Sequence, residues 1–329
     1  MNNLPAIELE QVTKIYQTQP RSGVESVSLS IEKGTINVIA GASGSGKSTL
    51  LKLIAGLLSP DSGEVRYLGK RVLGPTEKLI PGHEAMKVVA QDFNLNIYAK
   101  VYDNIAGLLS NTDLKGKQRK TLEVMEFLRI DHLAQKRAVD LSGGEQQRVA
   151  IARAIITGPE VLLLDEPFSQ VDAMFKNELR ADIRRMATYL GITVVLVSHD
   201  PVDGLSMADK MMIIKDGALV EEGSPDMLYH SPQELYTATL LTNCNVLSSD
   251  EARAIGINSN KDQVVIYPEW IDVTKGEQEW RVKERLFKGF YEEILLEHEG
   301  IQLRALNTKP GLYKSDSVIE AEIRKFREY

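Results

Sequence analysis

The chain has 329 residues, enough for about two domains with a sizeable core; 43% hydrophobic and 26% charged residues are ordinary for a globular protein. A net charge of −7 argues against nucleic acid as a main partner, since duplex binders carry a basic face. The single cysteine, Cys244, excludes an intrachain disulfide and a cysteine-held zinc cluster, and reads as a small buried apolar residue.

The first residues, Met1 to Glu8, lack the basic-then-apolar pattern of a secretory signal, and no run approaches the roughly 18 apolar residues that span a bilayer. The expectation is a cytoplasmic chain that reaches a membrane only through another polypeptide. Val27, Leu29 and Ile31 alternate with Ser28 and Ser30 as in a half-buried strand. The apolar run from Ile36 to Ala40 leads into Gly41-Ala42-Ser43-Gly44-Ser45-Gly46-Lys47-Ser48, and Leu50, Leu51, Ile54, Leu57 and Leu58 then recur at helical spacing. Strand, glycine loop and helix together form the context that a G-x-x-x-x-G-K-[ST] phosphate loop requires.

From about residue 92 to 155 the pattern is helical and polar, and carries Leu141-Ser142-Gly143-Gly144-Glu145-Gln146-Gln147. Val161 to Leu164 and Thr193 to Val197 have the length of strands buried on both faces of a parallel sheet. The helical stretch from Met174 to Leu190 between them completes a βαβ unit. Asp216-Gly217 marks a hairpin turn. After Tyr236 the runs Gln263–Tyr267, Trp280–Val282, Glu293–Glu297, Ile301–Ala305 and Val318–Ile323 suggest a small all-β module, read as a barrel.

Chemistry concentrates at the ends of the apolar runs. Glycines in the first loop let backbone N–H groups form an anion nest at a helix N-terminus. Lys47 is expected to reach the β- and γ-phosphates and the Ser48 hydroxyl to ligate Mg²⁺. Asp165 and Glu166 close the Val161 run: Asp165 as the acidic partner holding Mg²⁺, Glu166 as general base for an attacking water. His199 follows the next core strand at its C-terminal end, where ligand groups of open parallel sheets collect. His83, His132, His230 and His298 have no such context and read as surface residues.

Together these residues resemble the nucleotide-binding subunit of an ATP-binding cassette transporter. The first loop resembles Walker A, Val161 to Glu166 Walker B, and Leu141 to Gln147 the LSGGQ signature, with Glu145 where glutamine is usual. Gln91 resembles the Q-loop glutamine, and Ser169-Gln170-Val171-Asp172 the D-loop, departing from SALD at Gln170 and Val171. The resemblance implies an α/β P-loop NTPase core with an antiparallel β subdomain and a helical subdomain (about residues 92–155), together residues 1–236. Residues 237–329 more weakly resemble the OB-like (TOBE) domain of bacterial importer ATPases, with Tyr267 a departure in Tyr267-Pro268-Glu269. It further implies that Tyr16 stacks on adenine and that Gly41 to Thr49 bind the nucleotide. Gln91, with Ser48 and Asp165, would sense Mg²⁺. Ser142, Gly143, Gly144, Glu145 and Asp172 would meet the ATP of a second copy, or of a paralogous ATPase, docked head to tail. Glu166, His199 and Lys47 would be catalytic.

The family further implies separate permease subunits received by Gln91 and the segment Phe93 to Ile105, an extracytoplasmic solute-binding protein, and a place on the cytoplasmic face of the cell membrane. An ATPase acting on DNA or ribosomes stands as the alternative, with an exporter cassette. Against the DNA-acting relatives, only 92 residues separate Ser48 from Leu141, too few for their long coiled-coil insertion. A P-loop kinase would leave Leu141 to Gln147 unexplained.

Overall fold

The structure, a computed structural model, describes residues 4–17 and 22–329 and falls into two compact units, Met1–Leu228 and Tyr229–Tyr329. In the first, β1 (Ile7–Tyr16) and β2 (Ser22–Ile31) form an antiparallel pair, followed by β3 (Ile36–Ala40) and α1 (Lys47–Ile54). β4 (Ser62–Tyr67) and β5 (Lys70–Arg71) join the first pair in a sheet of order β2-β1-β4-β5, and β6 (Met86–Val89) follows. A helical segment holds α2 (Val101–Ala106), α3 (Leu114–Phe127) and α4 (Gly143–Ile155). Then come β7 (Val161–Asp165), α5 (Ala173–Leu190), β8 (Thr193–Ser198), α6 (Pro201–Met207), β9 (Lys210–Lys215) and β10 (Ala218–Gly223), with α7 (Pro225–His230) running across the division.

The second sheet has the order β10-β9-β3-β8-β7-β6 and is parallel except for β10. All residues of β3 and β8 are buried, as continuous apolar runs in the middle of a parallel sheet should be. The expected hairpin is present: β9 and β10 turn at Asp216-Gly217, with φ of 49° and 84°, the left-handed pair of a type I′ connection. α1 packs against β2 and also against β7 and β8, so Leu50, Leu51, Leu53 and Ile54 join Ile7, Leu9, Val27, Leu29, Leu163 and Val195 in one core. Burying a leucine or isoleucine side chain contributes roughly 1.5–3 kcal/mol.

Register matters most for function. Ala40 lies opposite Ser198, Asp165 opposite Val197, and Val89 opposite Leu164. The C-terminal ends of β3, β8, β7 and β6 are therefore level. Gly41, His199 and Glu166 directly follow β3, β8 and β7, and Gln91 lies two residues past β6, so all four emerge along one edge.

The second unit is built from α8 (Leu235–Leu241), β11 (Asn245–Ser248), α9 (Ser249–Ala254), β12 (Gln263–Ile266), β13 (Ile271–Asp272), β14 (Gln278–Phe287), β15 (Glu292–His298), β16 (Ile301–Asn307), β17 (Val318–Ile323) and β18 (Arg327–Glu328). Its strands form a three-stranded sheet, β11-β12-β18, and a five-stranded antiparallel one, β13-β17-β14-β15-β16. The Asn245 side chain links β11 to β16, donating to the Arg304 carbonyl at 2.9 Å and accepting from the Arg304 N–H at 2.7 Å. Trp280, Val282, Ile294, Leu296, Leu303 and Val264 share its core. Cys244 is half-buried, and burial pushes its thiol up to about 11, the behaviour of an unreactive thiol.

Candidate active site

The glycine loop spans the gap between β3 and α1. Gly46 caps α1 at φ 100°, and a Cβ there would lie 2.3 Å from the Gly23 carbonyl oxygen, so no larger residue fits that turn. Two neighbours hold the loop in place: the Gly217 N–H donates to the Ser45 carbonyl at 3.0 Å, and the Glu25 N–H to the Gly217 carbonyl at 2.9 Å. Gly23 also pairs with Ile15 in the β1–β2 ladder, and Ser22 with Tyr16. That ladder sets the half-buried Tyr16 opposite Ser22, the residue before the Gly23 that Gly46 approaches.

Lys47 is turned into its own loop. Its ammonium donates to the carbonyls of Gly41 at 3.0 Å and Ala42 at 2.8 Å. Burial lowers its pKa from the ordinary lysine value, against the opposing pull of Glu166 and Asp165. The Ser45 hydroxyl is buried in the same loop with no partner among the described residues. Ala42, Ser43 and Gly44 are exposed, while Ser48 and Thr49 are half-buried. An orphaned hydroxyl, a lysine whose ammonium is held by neutral backbone carbonyls and the N-terminus of α1 suit an anionic ligand.

The Ser48 hydroxyl donates to Asp165 Oδ1 at 2.8 Å, joining two residues 117 positions apart. Among the described residues no group of three His, Cys, Asp or Glu side chains could hold a metal ion. Ser48 and Asp165 do supply two adjacent oxygen donors, as a hard cation completed by phosphate oxygens requires. Gln91 and Asp165 line one cleft, together with Gln170.

Glu166 takes a left-handed conformation, φ 51°, uncommon for a residue with a side chain. Its N–H donates to the Val197 carbonyl at 3.1 Å, fastening the turn after β7 onto β8. Its Oε2 lies 2.5 Å from His199 Nδ1; the glutamate side chain is 15% exposed and the imidazole 59%. The carboxylate is thus oriented from one side by an imidazole that still faces outward.

The Leu141 to Gln147 motif starts α4 elsewhere. Ser142 is its N-cap in a reciprocal capping box: the Ser142 N–H donates to Glu145 Oε2 at 2.8 Å, and the Glu145 N–H to the Ser142 hydroxyl at 3.3 Å. Burial alone would raise the Glu145 carboxyl, but its bonds to Ser142 outweigh this and hold it below the usual range. A Cβ on Gly143 would sit 2.2 Å from the Gln170 carbonyl oxygen, so the helix start rests directly on that loop. Gln170 also donates from Nε2 to the Gln91 carbonyl at 2.9 Å. Ser142, Gly144, Glu145 and Asp172 line a cavity of about 300 Å³ that no residue from 41 to 49 borders.

One group of buried polar residues is not apparent from sequence patterns. Arg180 of α5 donates to Asp203 Oδ1 from Nε at 2.8 Å and from Nη2 at 2.6 Å, and the Ser198 hydroxyl donates to Asp203 Oδ2 at 2.5 Å. Desolvation pushes the Asp203 carboxyl above its ordinary value even though Ser198 and Arg180 pull it down. The available signal was weak: Arg180 and Asp182 interrupt the buried face of Leu179, Ile183 and Met186.

Residues 24–169 match the family model described as ABC transporter. Among solved structures, cbiO1 from Clostridium perfringens, part of the ABC transporter complex cbiONQ, is 26% identical with a TM-score of 0.60, over 69% of this chain and 91% of its own. The ATP-binding cassette MJ0796, a dimer in a post-hydrolysis state bound to ADP and Pi, is 28% identical with a TM-score of 0.59, over 67% of this chain and 98% of its own. The matched part of the chain is therefore similar to an ABC transporter ATPase domain and shares its α/β P-loop fold. Among the described residues no helix is long and apolar enough to cross a membrane.

Proposed function

We propose that this chain is the Mg²⁺-dependent ATP-hydrolysing subunit of a membrane import complex, acting as a head-to-tail pair. The observation that carries this reading is a separation. Lys47, Ser48, Asp165, Glu166 and His199 converge at one sheet edge, whereas Ser142 and Gly144 border a cavity that excludes the glycine loop. A second copy, or a paralogous ATPase, would bring its Ser142 and the N-terminus of its α4 to the phosphates held by the first.

In that complex Lys47 would leave the Gly41 and Ala42 carbonyls for the substrate's phosphates, and the loop N–H groups would cradle them. Ser48, Asp165 and Gln91 would hold Mg²⁺, which when bound neutralises charge on the β- and γ-phosphate oxygens. Glu166 would take the proton of the attacking water as its oxygen bonds to the γ-phosphorus. The bond from that phosphorus to the bridging oxygen breaks, and the bridging oxygen leaves with ADP. His199 would keep the Glu166 carboxylate aimed at that water. Tyr16 would stack on the adenine.

Membership in a transporter complex draws on the likeness to cbiO1, part of an ABC transporter complex; the importer reading draws on the second unit, which we read as a TOBE-like β-module (residues 237–329) following a nucleotide-binding domain (1–236). The cleft beside Gln91 and the segment Phe93 to Ile105 would receive permease subunits at the cytoplasmic face of the cell membrane, with a solute-binding protein acting on the permease from outside. A trapped dimer tests the motor part. Glu166→Gln with ATP and Mg²⁺ should sediment as a dimer and without ATP as a monomer; a monomer under both conditions overturns the head-to-tail reading. Co-purification with ribosomes or DNA in place of a membrane protein would favour the alternative.

A further inference from the structure

Behind the Glu166–His199 pair stands a second pair, almost sealed from solvent. Asp203 is 1% exposed and Arg180 8%. Each holds one of the two turns that present the reacting side chains. The Arg180 guanidinium lies 5.4 Å from the centroid of the Phe168 ring, and Phe168, itself buried, is two residues after Glu166. Asp203 takes the hydroxyl of Ser198, the residue before His199. The same hydroxyl accepts the Asp200 N–H at 3.0 Å, so it pins the turn on both sides of His199.

A buried ion pair is a poor device for stability alone, because desolvation offsets much of the attraction and apolar residues would serve as well. Holding two loops at a fixed separation is another matter. A displacement of about 1 Å at a reacting group can cost on the order of a hundredfold in rate.

We propose that Arg180 and Asp203 are positioning residues that set the distance and aim of the Glu166–His199 pair, acting through Phe168 and Ser198. The inference rests on the ATPase reading only for its kinetic consequence; the placement of His199 is testable without it. Because Arg180 belongs to α5, which begins immediately after Asp172, the helix also joins this pair to the loop that packs on Gly143.

Ser198→Ala removes one hydroxyl and leaves the Arg180–Asp203 pair intact. We expect its kcat for ATP to fall about tenfold with KM within about twofold, the pattern of a lost transition-state alignment. Ser198→Thr should restore most of the rate, and Asp203→Asn should lower kcat at least as far as Ser198→Ala. In nucleotide-free protein, the ring signals of His199 in NMR spectra should shift in Ser198→Ala and Asp203→Asn and return in Ser198→Thr. Unchanged His199 signals overturn the positioning role whether or not the chain hydrolyses ATP. In an active wild type, a wild-type kcat for Ser198→Ala, or a loss confined to KM and melting temperature, overturns it as well. An inactive wild type with shifted His199 signals would sink the ATPase reading and uphold the positioning.

Discussion

Glu166 Oε2 and His199 Nδ1 stand 2.5 Å apart because two neighbouring parallel strands, β7 and β8, end level with each other. The two residues lie 33 positions apart in sequence. The pairing divides the labour: the more buried carboxylate suits proton abstraction, and the exposed imidazole orients it. Glu166→Gln should therefore bind ATP with near wild-type affinity while kcat falls by about 10²–10⁴, the range for a lost general base. His199→Ala should also retain binding but lose less rate, since the carboxylate remains. Single-turnover hydrolysis beside equilibrium nucleotide binding checks both. A His199→Ala variant slower than Glu166→Gln would reverse the assignment.

Lys47 sets a pH dependence whose sign is fixed by its burial. Desolvation lowers its folded-state pKa, so at alkaline pH the folded chain sheds that proton before the unfolded chain does. The unfolded state then holds more protons, and Lys47 contributes to stability increasingly as pH rises through that window, its burial penalty being greatest at lower pH where it is charged. Phosphate binding has the opposite sign, because it needs the ammonium. ATP affinity should fall as pH rises, starting below the ordinary lysine value of about 10.4. Lys47→Met should bind ATP weakly and show no such fall; calorimetric titration between neutral pH and pH 10 decides it.

The Ser48–Asp165 hydrogen bond already brings together the two oxygens proposed to hold Mg²⁺. Asp165→Asn keeps the size and loses the charge. It should bind ATP equally well with Mg²⁺ and with EDTA, whereas the wild type should bind more tightly with Mg²⁺. Hydrolysis by Asp165→Asn should fall by at least about a hundredfold, because charge on the transferring group goes uncompensated. A retained Mg²⁺ effect on affinity would move the metal site elsewhere.

Local chemistry made the glycine loop, the Val161 and Thr193 runs and the Asp216-Gly217 turn legible, because glycine pattern and unbroken apolar runs survive without tertiary context. Several strands were not, β1 and β6 among them. β1 is interrupted by register shifts between Leu9 and Val12 and between Val12 and Lys14, which erase strict alternation, and β6 has only four residues. The Ser142–Glu145 capping box sat in plain view as S-x-x-E, masked by the motif around it. Arg180 and Asp203 could not be paired from the sequence. They lie 23 positions apart on separate helices, and each alone reads as an exposed charge.

The close approach of Gly143 to Gln170 permits a test of whether sites are shared between copies. A methyl group at position 143 would meet the Gln170 carbonyl at 2.2 Å, which forces a backbone shift at the start of α4. Gly143→Ala should bind ATP normally, since its glycine loop is untouched, and lose at least about tenfold in hydrolysis as the helix N-terminus moves off its target. Lys47→Ala should fail for the opposite reason, with an intact α4 and a loop that cannot hold phosphate. Mixing the two inactive variants should restore activity if sites form between chains: the loop of a Gly143→Ala copy would then face the α4 of a Lys47→Ala copy. One of the two sites in each mixed pair becomes wild-type, so with random pairing and independent sites the mixture should recover up to about a quarter of the wild-type rate. A mixture no more active than its parts would mean that each chain completes its own site, or that both sites must fire together; a covalently linked tandem of wild type with the Gly143→Ala, Lys47→Ala double variant separates those outcomes, because it stays active only if the wild-type half completes its own site.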